Sequence, residues 1–186
     1  MRIVLVHGFN VKDGGAGSID RLAPHLEKRG HEVECDEADY GYYDLIKVRF
    51  AKYSAVRRIL GALNRADAVV THSNGANYAT KALNLFFGQR VQVIHLSPAL
   101  NSDTKVPSNI SRGWVFFTKT DWTVWISSLL IGHAWGRMGQ RGYTGGDPRI
   151  TNIDHTDLVK FHSDWFNDDN VEIIAAEIDS LLRKPL

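Results

Sequence analysis

A serine at the end of an apolar run is the first candidate for covalent chemistry in this sequence. Ser73 ends the run Val-Val-Thr-His-Ser and precedes Asn-Gly, after which the pattern becomes helical. A sharp turn from strand to helix would hold the serine oxygen above the edge of a sheet, and it requires small residues around the serine. Gly75 meets this requirement, whereas Thr71 is bulkier than expected. Because Ser-x-Gly triplets also occur in ordinary turns, the interpretation needs support from the rest of the chain.

Acyl transfer to a serine also needs a base, an acid that orients the base, and donors for an oxyanion. Asp121 is the first candidate for the acid, because it lies a few residues after a strand-like run; alternatively, it caps the next helix. Asp103 is the alternative acid. Two histidines near the carboxyl terminus, His162 and His155, are candidates for the base, with His133 as a third.

The elements that must position these residues alternate along the chain. Short apolar runs alternate with longer helical patterns, which predicts a parallel sheet with helices on both faces. The predicted strands span residues 2–6, 32–35, 68–71, 91–96, 114–117 and 150–153. The predicted helices span residues 18–29, 44–63, 75–87 and 171–183.

Three segments at the predicted strand ends resemble motifs of one family. Residues 7–10 (His-Gly-Phe-Asn) resemble the His-Gly oxyanion loop of α/β-hydrolases, residues 71–75 resemble the Gly-x-Ser-x-Gly elbow, and residues 119–124 resemble the acid loop. The order of Ser73, then Asp121, then a histidine is also that of this fold. The chain therefore resembles a small serine esterase or lipase of the α/β-hydrolase superfamily. The resemblance implies a minimal three-layer αβα sandwich without the family's first two strands, with six parallel strands in the order 2-1-3-4-5-6.

The resemblance also implies roles for individual residues. The backbone N–H groups of Phe9 and Asn74 would form the oxyanion hole. Asn10 would add a side-chain donor to the substrate site or hold the turn. His7 would brace the loop rather than act as the base. The base of the family lies on a loop shortly before the last helix, which favours His162.

A long segment after the acid is expected to cover the site. Residues 122–148 are too many for an ordinary connection within the single domain predicted for residues 1–186. Trp122, Trp125 and Trp135 give the segment an apolar character, and we expect the first two to contact substrate. The segment is either a lid or a helix that completes the core. Three tyrosines after the second strand extend the pocket or are surface aromatics: Tyr40, Tyr42 and Tyr43.

Composition excludes several classes of partner. Twenty-two Lys and Arg nearly balance 21 Asp and Glu, so no net field favours nucleic acid or an anionic membrane. No run of roughly 20 apolar residues predicts a membrane span, and the first residues already form a strand, so we expect no signal peptide. The single cysteine, Cys35, fits a reducing compartment, and we expect a cytoplasmic protein. No Cys, His and carboxylate cluster has metal-site spacing, and no Gly-x-Gly-x-x-Gly follows the first strand, so neither a metal nor a cofactor is expected.

These features together predict a serine hydrolase. The expected reaction is cleavage of a small-molecule carboxylic ester with an apolar acyl or aromatic group, through an acyl-enzyme on Ser73. An amidase or an acyltransferase would use the same residues. A ligand-binding module that keeps this fold without catalysis is the alternative from a different class.

Overall fold

A single parallel sheet of six strands forms the centre of the molecule. The computed structural model describes residues 1–42, 52–128 and 135–185. Its strands are β1 (Arg2–Val6), β2 (Glu32–Glu34), β3 (Ala68–His72), β4 (Val91–Leu96), β5 (Ile110–Phe117) and β6 (Ile150–Asp154). Their order across the sheet is β2-β1-β3-β4-β5-β6, and every neighbouring pair is parallel. The predicted strand order is therefore confirmed.

Helices cover both faces of this sheet. They are α1 (Ala23–Glu27), α2 (Lys52–Leu63), α3 (Gly75–Leu85), α4 (Trp122–Ser127), α5 (Met138–Arg141) and α6 (Val171–Leu182), with 3-10 turns at Ile19–Leu22 and Asp164–Phe166. Successive side chains of β1 point to opposite faces, as the pleat requires. Val4 and Val6 pack with residues of α2 and α3, while Ile3 and Leu5 pack with residues of α1 and α6. The three-layer αβα fold is confirmed.

The starts of two predicted elements differ from the structure by several residues. The first helix was expected over residues 18–29, but a 3-10 turn occupies Ile19–Leu22 and the α-helix begins at Ala23. Pro24 lies in the first helical turn, where its missing N–H costs no hydrogen bond. Strand β5 begins at Ile110 instead of residue 114, because Arg112 and Gly113 pair with β4 despite their weak strand propensity. The predicted helix 44–63 is seen from Lys52, and its first part lies outside the described residues.

No helix in the described parts of the chain has the length and apolar character that crossing a membrane would require. The single cysteine lies partly buried next to Asp20. Burial, reinforced by the neighbouring carboxylate of Asp20, raises the pKa of the Cys35 thiol to about 12. The thiol therefore stays protonated at neutral pH and is a poor nucleophile.

Candidate active site

Ser73 occupies the turn between β3 and α3 in a strained backbone conformation. Its φ is 53°, which is uncommon for a residue other than glycine. Backbone hydrogen bonds hold it on both sides: Ser73 N donates to Leu96 O at 3.1 Å, and Ala99 N donates to Ser73 O at 3.1 Å. The turn is thus fixed to the end of β4. The structure places Ser73 at the carboxyl-terminal edge of the sheet, where ligands of open parallel sheets bind.

Two glycines allow the elbow to pack against the loop after β1. A Cβ atom on Gly75 would lie 2.3 Å from the carbonyl oxygen of His7 and 2.6 Å from that of Val6. A Cβ atom on Gly8 would lie 3.0 Å from the Cβ of Ser73. Only glycine fits at position 75 without displacing backbone, so this residue sets how closely α3 can cross β1.

Thr71, the departure from the expected elbow pattern, has a partner of its own. Its side chain is fully buried, and its Oγ1 lies 2.7 Å from Nδ1 of His95. The hydroxyl is therefore hydrogen-bonded inside the protein, which removes the cost of burying a polar group.

Asp121 contacts His162 and also caps a helix. Oδ2 of Asp121 accepts a hydrogen bond from Nδ1 of His162 at 2.7 Å. Oδ1 accepts from the backbone N–H of Val124 at 3.0 Å, so the carboxylate also serves as the N-cap of α4. Asp121 is thus a helix cap, as one interpretation of the sequence expected, and it also contacts His162, one of the two candidate bases.

The surroundings of Asp121 favour the ionised form of its carboxyl group. Burial alone would raise the pKa of Asp121, but hydrogen bonds from His162, Val124 and Ser97 outweigh it and lower that pKa. An ionised carboxylate can only accept, so Nδ1 of His162 carries the proton. The Nε2 atom of His162 is then the ring nitrogen free to accept a proton.

Ser73 and His162 line the same small cavity. Its volume is about 50 Å³. Its lining consists of Phe9, Ser73, Asn74, Ala99, Thr123, Val124, Trp135 and His162. Within the described parts of the chain, the Ser73 hydroxyl forms no hydrogen bond, and the shared cavity is what relates Ser73 to His162.

The alternative base lies in a different environment. His155 is 8% exposed and packs against Phe116 and Trp165, with ring centroids 4.6 Å and 5.3 Å away. Its Nε2 lies 3.3 Å from a carboxylate oxygen of Glu177. Burial lowers the pKa of His155 despite the charge of Asp154. The structure thus brings His162, and not His155, together with Asp121.

The remaining candidates lie at the periphery. Asp103 is exposed in the loop after β4. Asn10 is also exposed, with a φ of 60°, at the turn that follows Phe9. His133 and Tyr43 lie outside the described residues.

The tryptophans after Asp121 differ in their surroundings. Trp122 is 60% exposed and contacts Trp125 edge to face. Trp135 is buried, lines the cavity, and donates its indole N–H to Oδ1 of Asn74 at 2.7 Å. Composition gave no means of separating these three residues. Residues after Trp135 bond to the strand exits: Gly139 N donates to Pro98 O at 2.8 Å.

Sequence reasoning missed the residues that contact Asp121 and His162. Trp165 donates its indole N–H to the hydroxyl of Ser97 at 3.0 Å, and the Ser97 side chain, whose backbone φ is 42°, helps to lower the pKa of Asp121. His72 donates its Nε2–H to the backbone carbonyl of His162 at 3.0 Å. Only the position of Ser97 at a strand exit could have signalled its role.

The lowered pKa values of two buried histidines predict that the free energy of unfolding falls in acid. Burial, together with the charge of His162, lowers the pKa of His72 to about 3, and burial lowers that of His95 to about 4. Since both values lie below the unfolded value of about 6.5, the unfolded state binds more protons as the pH falls below 6.5. Each histidine should cost about 2 kcal/mol of unfolding free energy between pH 7 and pH 5. Urea denaturation at both pH values measures this loss.

A variant pair separates this effect from general acid denaturation. His95→Gln should reduce the difference between pH 7 and pH 5 by about 2 kcal/mol, because it removes one of the two groups. His25→Gln, on the partly exposed helix α1, should leave the difference unchanged. Equal pH dependence in His95→Gln and wild type would contradict the prediction.

Among the described residues, no three His, Cys, Asp or Glu side chains group so that they could hold a metal ion.

No protein-family model matches the sequence, and no curated protein matches it. Solved structures do match the fold over its whole length. An extracellular α/β-hydrolase from a Paenibacillus species is 10% identical with a TM-score of 0.64, and the match covers 99% of this chain and 100% of that chain.

Two further solved structures also match the fold of this chain. A pyrethroid hydrolase from Sphingobium faniae is 14% identical with a TM-score of 0.64, covering 100% of this chain and 98% of that one. A methylesterase from Arabidopsis is 12% identical with a TM-score of 0.58, covering 97% and 98% of the two chains. The sheet order and these matches together define the α/β-hydrolase fold.

Proposed function

We propose that this protein is a serine esterase that cleaves carboxylic esters with a short acyl group. The 2.7 Å contact between Asp121 and His162, beside a cavity that His162 shares with Ser73, carries the proposal. Esterases and hydrolases among the proteins with this fold support a hydrolytic reaction. Fold alone does not specify an activity, so the proposal rests on the side chains of the site.

In the proposed first step, the Ser73 oxygen attacks the ester carbonyl carbon. The serine proton passes to Nε2 of His162, and the carbonyl electron pair moves onto the oxygen. The N–H groups of Phe9 and Asn74 stabilise this oxyanion. Asp121 balances the positive charge that His162 gains.

Collapse of this intermediate expels the alcohol. The carbonyl re-forms, the bond to the alcohol oxygen breaks, and that oxygen takes the proton from Nε2 of His162. Water then attacks the acyl-Ser73 ester and gives its proton to His162. The second intermediate releases the acid, and the proton returns to Ser73.

The size of the cavity limits the acyl group. Its volume of about 50 Å³ is far below the ~300–1,000 Å³ of pockets that enclose drug-sized ligands. Phe9 and Trp135 close one side, with ring centroids 5.3 Å apart. An acetyl or propionyl group is therefore favoured over a long acyl chain.

Chromogenic esters and a covalent probe test the proposal. The protein should hydrolyse p-nitrophenyl acetate with a kcat/KM at least about tenfold above that for the decanoate, because the longer chain exceeds the cavity. A fluorophosphonate should add once per chain, on the peptide that contains Ser73, as read by mass spectrometry. A well-folded protein that neither turns over any ester of the series nor reacts with the probe would refute the proposal.

A further inference from the structure

A tyrosine in the segment after β2 forms hydrogen bonds with the proposed oxyanion loop. Tyr40 is 7% exposed, and its hydroxyl lies 2.7 Å from the carbonyl oxygens of both His7 and Gly8. Its ring stacks on the imidazole of His7 with centroids 4.0 Å apart and planes inclined by 28°. Tyr40 is thus part of the support of this loop, and it is not among the described residues that line the cavity beside Ser73.

The histidine of the loop adds a second hydrogen bond to the same carbonyl. Nδ1 of His7 lies 2.9 Å from Gly8 O, and Nε2 lies 3.0 Å from Oδ1 of Asp39. The partner of each ring nitrogen is an oxygen acceptor, to which a ring N–H can donate. The same Asp39 oxygen also accepts the backbone N–H of Gly41 at 2.7 Å, which fixes the carboxylate.

These contacts act on the donor of the oxyanion hole through one peptide group. The carbonyl of Gly8 and the N–H of Phe9 belong to the same planar, trans peptide unit and point in opposite directions. The Gly8 oxygen thus lies within hydrogen-bond distance of two groups, Nδ1 of His7 and the Tyr40 hydroxyl, whose single proton is shared with the carbonyl of His7. These contacts fix the direction of the Phe9 N–H. Because Gly8 packs on Ser73, this peptide lies beside the proposed nucleophile. Donation to the carbonyl also polarises the amide and strengthens its N–H as a donor.

We infer that Tyr40, with His7 held by Asp39, is a positioning residue that aims the Phe9 N–H at the oxyanion. This role rests on the proposed esterase function of the same site. The negative charge on the substrate oxygen develops only in the transition state, so a misaimed donor weakens transition-state binding more than substrate binding. Its signature is a fall in kcat with little change in KM.

Tyr40→Phe tests this role, because it keeps the stacked ring and removes only the hydroxyl. We expect kcat per titrated active site to fall about tenfold, less than the hundredfold or more that typically follows loss of a whole oxyanion donor, with KM changed less than about twofold. The affinity for an aryl boronic acid, which forms a tetrahedral adduct on serine, should fall by the same factor as kcat. Tyr53→Phe, at an exposed tyrosine of α2, is the matched control and should match wild type in both readouts.

A spectroscopic readout separates positioning from a general loss of structure. In ¹⁵N-labelled protein, the amide proton of Phe9 should shift upfield in Tyr40→Phe, because its peptide carbonyl loses one donor, while amides of α6 stay in place. An active wild type with unchanged kcat and Phe9 resonance in Tyr40→Phe overturns the positioning role alone. So does a variant in which KM rises as much as kcat falls. A wild type that neither hydrolyses esters nor reacts with a fluorophosphonate overturns the esterase proposal, and the role of Tyr40 with it.

Discussion

Replacement of Ser73 by alanine is expected to lower kcat for ester hydrolysis by about a million-fold, to the level set by the remaining groups. The oxygen that would form the acyl-enzyme is removed, so the reaction loses its covalent route. Residual catalysis of about a thousandfold over water can persist, because the N–H groups of Phe9 and Asn74 would still bind an oxyanion. Stopped assays with p-nitrophenyl acetate measure the loss, and fluorophosphonate labelling should disappear in parallel.

A second serine provides the matched control for this substitution. Ser108 is exposed in the loop before β5, away from the cavity, and Ser108→Ala should keep both turnover and labelling. Alanine at position 73 must still adopt a φ near 53°, at a cost similar to that of serine. The thermal midpoint of Ser73→Ala should therefore stay within a few degrees of wild type. Full activity in Ser73→Ala would show that another residue is the nucleophile.

The sheet could be predicted from the sequence because its strands are short apolar runs separated by helical patterns. Strands β1 and β3, for example, are two buried apolar runs of similar length, which pair from Ile3 and Ala68 onward. The ends of the strands and helices were harder to predict. Arg112 and Gly113 extend β5 because both residues pair with β4 and Gly113 also pairs with β6, and that information lies in distant parts of the chain.

In the candidate site too, locally signalled residues could be predicted and contacts between distant residues could not. Ser73 and Gly75 are signalled locally, because a tight strand-to-helix turn restricts residue types within a few positions of the serine. The contact of Trp165 with Ser97 joins residues 68 positions apart, and neither side chain is unusual for its position. Tyr40 likewise reaches Gly8 from 32 positions away. Such supporting contacts depend on how the layers pack, which residue type alone does not encode.

The second large effect concerns the base, where the sequence left two histidines open. His162→Ala should lower kcat by about a million-fold, because a proposed serine nucleophile without its base is as impaired as a base without its serine. His155→Gln should keep kcat within about tenfold, because His155 lies against Glu177 and not against Asp121. Its main effect should be on stability, since its ring packs on Phe116.

Chemical rescue makes this comparison independent of folding. The space vacated in His162→Ala borders the cavity that contains Ser73, so added imidazole can enter and accept the serine proton. Turnover of p-nitrophenyl acetate by His162→Ala should rise with imidazole concentration and saturate, whereas His155→Gln and Ser73→Ala should show no such rise above the uncatalysed rate with imidazole. If instead His155→Gln were inactive and rescued, while His162→Ala kept its activity, the base would be His155. The contact between Asp121 and His162 would then serve only to hold the loop after β6 against α4.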